Sequence, residues 1–415
     1  MTTRREFLGA AALAAAAPMA PAKAKEQISG NGFGYVDWDW QRWRQMTDES
    51  KPRIRTEQSH KADLADLLRF GSQPVTNKGE WEAQRELIKR QLSSILGSPP
   101  ASKPALDPKV TEEVSLDTFT RRKLVYHAGA DDSLPSYYGT VPAYLLIPKK
   151  LKGRAPAVVC PHQTTQLGMK EPAGLGGDPR LWTALSLVNR GYVTFTYDAL
   201  CFGARHKPGS GHYGDAMEFY RAHHGWSLMS KMAWDLSRGI DFLETLDFVD
   251  PKRIGCIGSS HGGYTTLFSM AYDERIAAGV CNCGFDTLRY DGNVWRWSFA
   301  TALTPRLGFY LSSPYINMGF YSGVPDSEVI NTPVDLHEIA ALVAPRPLFL
   351  SVSDTDTVFP NSGWSARKAL QLLEPIYELF DKPKQIKALY FNGGHTFPQE
   401  VSSSAYDWLD LWLKS

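Results

Sequence analysis

The sequence predicts an α/β protein with a mostly parallel central sheet, helices on both faces and an aromatic-rich lid insertion. Three observations lead there. From about residue 155 to the end, short apolar runs of strand length alternate with longer stretches of helical period, the pattern of a parallel sheet wrapped by helices. Gly258-Ser259-Ser260-His261-Gly262 fits G-x-S-x-G and falls where one such strand, Arg253–Gly258, gives way to a helix. An aspartate and a histidine, Asp356 and His395, each stand just past the end of a later strand, where sites of open α/β sheets gather.

The chain has 415 residues, 43% of them hydrophobic, enough for a large core, and a net charge of +1. That balance gives no electrostatic argument for nucleic acid or an anionic membrane surface as partner. At the N-terminus, Arg4-Arg5 precede an alanine-rich apolar run, Leu8–Ala17, and Ala22-Lys23-Ala24 offers a small-x-small cleavage site. This resembles a twin-arginine export signal over residues 1–24, with the mature protein starting near Lys25 and bound for the periplasm or beyond. The apolar run is too short to be a stable membrane anchor.

Residues 25–110 read as an N-terminal helical extension without βα rhythm. It is tryptophan-dense over Gly34–Trp43, and Glu80–Leu96 has a helical period with Trp81, Leu87, Ile88, Leu92 and Ile95 mostly to one side. Residues 111–415 read as the catalytic domain. Val114–Tyr126 and Tyr137–Ile147 form a hairpin or meander. Strands follow at Ala157–Cys160, Tyr192–Tyr197, Arg253–Gly258, Ile276–Cys283, Pro347–Ser353 and Ile386–Phe391. Helices are expected at Leu181–Asn189, Trp226–Leu246, after the glycine-rich turn, and at Leu336–Val343, Trp364–Phe380 and Tyr406–Leu413. The rhythm breaks between about 286 and 333, longer than an ordinary connection. That stretch carries Trp295, Trp297, Phe299, Phe309, Tyr310, Tyr315, Phe320 and Tyr321 and reads as a lid, whose aromatic faces either grip substrate or pack onto the body. No internal repeat is visible.

A serine hydroxyl is a weak nucleophile and needs a histidine to take its proton and a carboxylate to orient that histidine. Ser260 on a sharp strand-to-helix turn, Asp356 after Pro347–Ser353 and His395 after Ile386–Phe391 supply these in order. Asp354 is the competing carboxylate, expected instead to stabilise its own turn. Negative charge developing on the substrate oxygen needs two donors. One is the His261 amide, directly after the nucleophile. The other is the amide of Thr164, or of Gln163, in the loop after Ala157–Cys160, with His162 structuring that loop.

Of the five cysteines, Cys160, Cys256, Cys281 and Cys283 fall on inner strands and Cys201 on a loop. Cys281 and Cys283 are expected on one face of a strand, no disulfide is expected, and no further Cys/His cluster completes a metal spacing. Neither a metal nor an organic cofactor is implied.

Taken together, the chain resembles the α/β-hydrolase superfamily, nearest its acetyl xylan esterase-like and dienelactone hydrolase-like branch. Asp198-Ala199-Leu200-Cys201-Phe202-Gly203-Ala204-Arg205 and Val249-Asp250-Pro251-Lys252-Arg253-Ile254-Gly255 carry the likeness, with Cys201 where the branch has glycine. The resemblance covers about 110–415. It implies a secreted serine carboxylesterase working through an acyl-enzyme on small acyl esters or acylated carbohydrate, and a structural Asp198–Arg205 ion pair beneath the site. The alternatives are a prolyl-oligopeptidase-like peptidase, or a non-catalytic carbohydrate-binding protein on the same scaffold.

Overall fold

The computed structural model describes residues 38–51, 64–70, 73–100, 102–129, 136–207, 209–290, 297–310 and 332–415. The export segment lies outside them, as do Trp295, Tyr315, Phe320 and Tyr321 of the insertion. Among the described residues no helix is long and apolar enough to cross a membrane.

One nine-stranded sheet organises the chain. Its strands are β1 (Lys109–Ser115), β2 (Phe119–His127), β3 (Thr140–Pro148), β4 (Ala155–Val159), β5 (Val193–Tyr197), β6 (Val249–Ser259), β7 (Ile276–Asn282), β8 (Leu348–Ser353) and β9 (Ile386–Phe391), in the spatial order 9-8-7-6-4-5-3-2-1. β4 to β9 run parallel, while β1, β2 and β3 form an antiparallel meander joined to β5. Each inner strand is a short apolar run buried on both faces, as a helix-covered parallel sheet requires. Val114–Tyr126, read with Tyr137–Ile147 as a hairpin or meander, holds the end of β1 and most of β2 of that meander. The chain turns at Leu116–Thr118, where Leu116 N–H donates to the Phe119 carbonyl.

The helices are α1 (Trp40–Thr47), α2 (Lys78–Leu96), α3 (Thr183–Asn189), α4 (Ala216–Ala222), α5 (Leu228–Glu244), α6 (His261–Tyr272), α7 (Trp297–Leu303), α8 (Leu336–Ala341), α9 (Ser362–Leu379) and α10 (Gln399–Leu413). α3 and α10 cover one face of the sheet around Phe349, Phe397 and Trp408, and α5, α6 and α9 cover the other. α10 begins at Gln399, seven residues before the expected Tyr406, because Ser402, Ser403 and Ser404 hide its apolar stripe in the sequence. Strand order reverses at β4, whose successor β5 lies on one side and β6 on the other. The loops after β4 and β6 therefore leave the carboxyl edge of the sheet side by side at the switch point, where sites of open α/β sheets gather.

The N-terminal extension does not stand apart. Trp38, Trp40, Trp43 and Trp81 are buried in the same core as the sheet. Trp38 Nε1 donates to Thr301 Oγ1 (3.1 Å) and Trp40 Nε1 to the Pro305 carbonyl (2.7 Å). Arg306 forks onto Glu49, with Nη2 2.7 Å from Oε1. The extension thus braces the described part of the insertion. Phe309, read as a lid aromatic, packs on Trp40 and Trp43, and Lys51 lies 4.5 Å from the ring centre of Tyr310.

Candidate active site

The site stands on the carboxyl ends of β4, β6, β7, β8 and β9. β6 ends at Ser259, and α6 starts at His261 without a connecting loop. Ser260 between them has φ 55° and ψ −120°, a conformation that costs an L-residue about 1–3 kcal/mol. Two backbone hydrogen bonds hold it there: Ser260 N–H to the Asn282 carbonyl (2.9 Å) and Tyr264 N–H to the Ser260 carbonyl (3.0 Å). The turn also needs glycine. A Cβ at Gly262 would lie 2.3 Å from the Pro161 carbonyl oxygen, so only glycine lets α6 start against the loop after β4. Strain at a buried serine on the carboxyl edge of the sheet marks it chemically.

The two aspartates after β8 part company. Asp354 forks onto Arg367 of α9 (2.6 and 2.9 Å) on the exposed side, so it serves a surface pair rather than the turn the sequence assigned it. Asp356 turns inward to His395 Nδ1, at 2.8 Å from Oδ2 and 3.1 Å from Oδ1. Its Oδ1 also accepts the N–H groups of Val358 (2.8 Å) and Phe359 (2.9 Å). Burial alone would raise its pKa. The His395 hydrogen bond and charge, with those two amides, outweigh burial and hold the carboxyl below its usual range. An ionised Asp356 accepting at Nδ1 fixes the tautomer that leaves Nε2 as a base. The Phe359 ring stacks on the imidazole at 5.5 Å. Thr355 Oγ1 accepts the amides of Gly393 and Gly394, both at 3.1 Å, tying the Asp356 loop to the His395 loop.

Asn282, at the end of β7, is a residue the sequence reading passed over. Its Nδ2 donates to Ser259 Oγ (2.8 Å) and to the Thr396 carbonyl (3.1 Å), and its Oδ1 accepts from Ser351 Oγ (2.8 Å). One buried amide therefore joins the serine turn to the histidine loop across two intervening strands. An asparagine closing an apolar strand was the available signal.

On the other side of Ser260, the loop after β4 is set by His162. Its Nε2 accepts the Ala199 amide (3.1 Å), so Nδ1 carries the proton and donates to the Gln163 carbonyl (2.6 Å). Burial lowers the His162 pKa to about 4, keeping the ring neutral. The Gln163 side chain turns away to Glu171 Oε1 (3.2 Å). Gln163 and Thr164 are both half-buried. The His261 ring is buried, with Nε2 3.3 Å from Met232 Sδ, and burial takes its pKa down to about 3. The His261 ring thus belongs to the core rather than to the surface of the site.

The expected Asp198–Arg205 ion pair is not formed. Asp198 accepts the amides of Met169 (2.7 Å) and Ala204 (2.9 Å), and Arg205 reaches only its backbone carbonyl (3.1 Å). Arg205 instead pairs with Asp235 of α5 (2.7 Å), which also takes the Lys231 ammonium. All five cysteines are buried free thiols. Cys283 is not on the strand as expected. It follows β7 at φ 41°, which turns its side chain out of the β7 alternation. Cys283, Asp356 and His395 have donor atoms within 4.8 Å of one another, the one such cluster among the described residues that could hold a metal ion. Asp356 and His395 already satisfy each other there. A cavity of about 950 Å³ opens elsewhere, among Gly97, Tyr138, Trp226 and Lys231, and none of Ser260, Asp356 and His395 lines it.

The sheet topology and this crest define an α/β-hydrolase, and the chain is a serine hydrolase acting on carboxylic esters. Residues 180–379 match the sequence pattern of the family described as glucuronyl esterase, fungi. Over 356 residues the chain is 24% identical to a 4-O-methyl-glucuronoyl methylesterase of Phanerochaete carnosa, covering 82% of this chain and 78% of that protein. It is 26% identical to a hydrolase of Bacillus subtilis named putative hydrolase YtaP, covering 66% and 83%. Among solved structures it is similar to a glucuronoyl esterase of Teredinibacter turnerae (TM-score 0.62, 17% identity, 94% of this chain and 99% of that one). A putative acetyl xylan esterase of Bacteroides fragilis follows (TM-score 0.55, 17% identity, 86% and 83%). At these identities the structural likeness speaks for the fold.

Proposed function

We propose that the chain is an exported carbohydrate esterase that cleaves the ester of a uronic acid unit, using Ser260, His395 and Asp356. The observation that carries the reading is the combination of a strained serine between β6 and α6 with a tautomer-fixed His395–Asp356 pair on neighbouring strand ends. Ser260 Oγ attacks the ester carbonyl while His395 Nε2 takes its proton. Asp356 holds the imidazolium through Nδ1. The His261 amide, with that of Gln163 or Thr164, receives the negative oxygen. His395 then returns the proton to the leaving alkoxide, which departs as an alcohol. Water, deprotonated by the same Nε2, attacks the acyl-enzyme, and its collapse restores the Ser260 hydroxyl and releases the acid.

The uronic acid side of the ester is drawn from the relatives that are methylesterases of glucuronoyl groups. Export is drawn from the twin arginine and alanine run at residues 4–17. A second reading, removal of acetyl groups from xylan, draws on the sequence phrases around Asp198 and Asp250. The test is hydrolysis by the purified protein of methyl glucuronate glycosides and of acetylated xylo-oligosaccharides. Preference for the first, lost in Ser260→Ala, is the expected result. Cleavage of acetyl esters alone would select the second reading. Hydrolysis undiminished in Ser260→Ala would remove both.

A further inference from the structure

Behind the acid and the base sits a third group that the catalytic sequence above does not use. Cys283 immediately follows β7, the strand that separates the serine strand β6 from the acid strand β8. Its φ of 41° is a left-handed value that asparagine or glycine adopts more readily than cysteine. Its own amide donates to the Ser351 carbonyl of β8 (2.9 Å), which fixes the residue against the acid strand. The side chain is buried and its Sγ lies 3.4 Å from the carbonyl oxygen of Thr396, the residue after His395. Sγ also lies within 4.8 Å of both a ring nitrogen of His395 and a carboxylate oxygen of Asp356. Burial first, and then the Asp356 charge, push the thiol well above its ordinary pKa. It therefore stays an S–H donor facing two acceptors.

We propose that Cys283 is a positioning residue of the acid–base pair, its single S–H shared between the Thr396 carbonyl and the neighbouring Asp356 carboxylate so that the two loops keep one register. Asp356 is already held by the Val358 and Phe359 amides, and His395 by Asp356. The thiol adds the link from β7 to the far side of both loops. It complements Asn282, which grips the same Thr396 carbonyl from the preceding position. The strained backbone is the local cost of aiming Sγ there.

The proposal rests on the reading of Asp356 and His395 given above, and its test separates the two. Cys283→Gly, Cys283→Ser and Ser260→Ala are compared with wild type on 4-nitrophenyl acetate across pH 5–9. Glycine relieves the left-handed φ but removes the donor, serine restores a donor, and a thermal melt of each variant checks that it is folded. The expected result for Cys283→Gly is a kcat about 3- to 10-fold lower with KM within about twofold, the range for losing one weak hydrogen bond. The acid limb of its pH–rate profile moves to higher pH, because a carboxylate relieved of a donor holds the imidazolium more tightly. Cys283→Ser recovers most of kcat and returns the limb. A glycine variant with wild-type kcat and an unmoved limb would overturn the proposal, as would a serine variant no better than glycine. Activity retained in Ser260→Ala would instead overturn the reading of the site on which it rests.

Discussion

Two buried ionic systems lie within the same catalytic domain and are built on opposite plans. In the first, Asp356 and His395 sit at the crest of the sheet. Asp356 is enclosed, whereas His395 keeps 11% of its side chain exposed and has a ring nitrogen left for chemistry. In the second, Arg205, Asp235 and Lys231 lie between α5 and the sheet, and Asp235 and Arg205 are fully enclosed. Arg205 also donates to the carbonyls of Tyr137 and Tyr138, both at 2.7 Å, and to that of Asp198. Arg205 and Asp235 are thus spent on one another and on backbone carbonyls, while Lys231 lines the cavity of about 950 Å³ that lies away from Ser260. Buried charge alone does not mark a site; what sets the first system apart is a histidine at a strand end whose second ring nitrogen its carboxylate partner leaves unused.

The largest expected effect tests the first system. Asp356→Asn keeps the shape but loses the carboxylate that sets the His395 tautomer, so kcat should fall by about 10⁴-fold with little change in melting temperature. Steady-state kinetics with a thermal melt check this, and a loss under tenfold would deny Asp356 its role. The matching variant in the second system is Asp235→Asn. It leaves Arg205 and Lys231 buried without a counter-charge, which should cost about 3–5 kcal/mol of stability. Denaturant unfolding reads that loss, and the kcat of whatever folds should stay within a few-fold of wild type. A normal melt with a collapsed kcat would reverse the assignment of the two systems.

A smaller effect comes from acid. His162 and His261 flank the serine turn with folded pKa values lowered to about 4 and about 3, against 6.5 for the free group. Between pH 6.5 and 4 the unfolded chain takes up these protons and the folded chain does not, so stability falls as pH falls. Each contributes about 1.4 kcal/mol per pH unit in that window. The melting temperature should therefore drop steeply from pH 6.5 to 5. A flat profile there would mean that these rings are not held neutral.

The same contrast explains what could be read before the fold was known. Ser260, Asp356 and His395 were visible because each lies beside local signals: glycines around Ser260 and His395, and an apolar strand just before each. The sheet strands were visible for the same reason. The partner of Arg205 was not, because Asp235 lies thirty residues on, inside a helix whose spacing gives no hint of which face is buried. Asp198, nearer in sequence and acidic, was the natural wrong choice. Cys283 was read as a strand residue because β propensity continues through it, while its backbone turns left-handed one residue after β7 ends. Where the extension docks was not legible, because its tryptophans find Thr301 and Pro305 more than 260 residues away.

The central claim is that Ser260 is the nucleophile, and the most direct measurement is covalent. The purified protein treated with a fluorophosphonate, then digested and analysed by peptide mass spectrometry, should carry one adduct, on the peptide containing Ser260. Labelling should follow the same pH dependence as ester hydrolysis and vanish in Ser260→Ala. An adduct on another residue, or an active enzyme that takes up no label, would contradict the account.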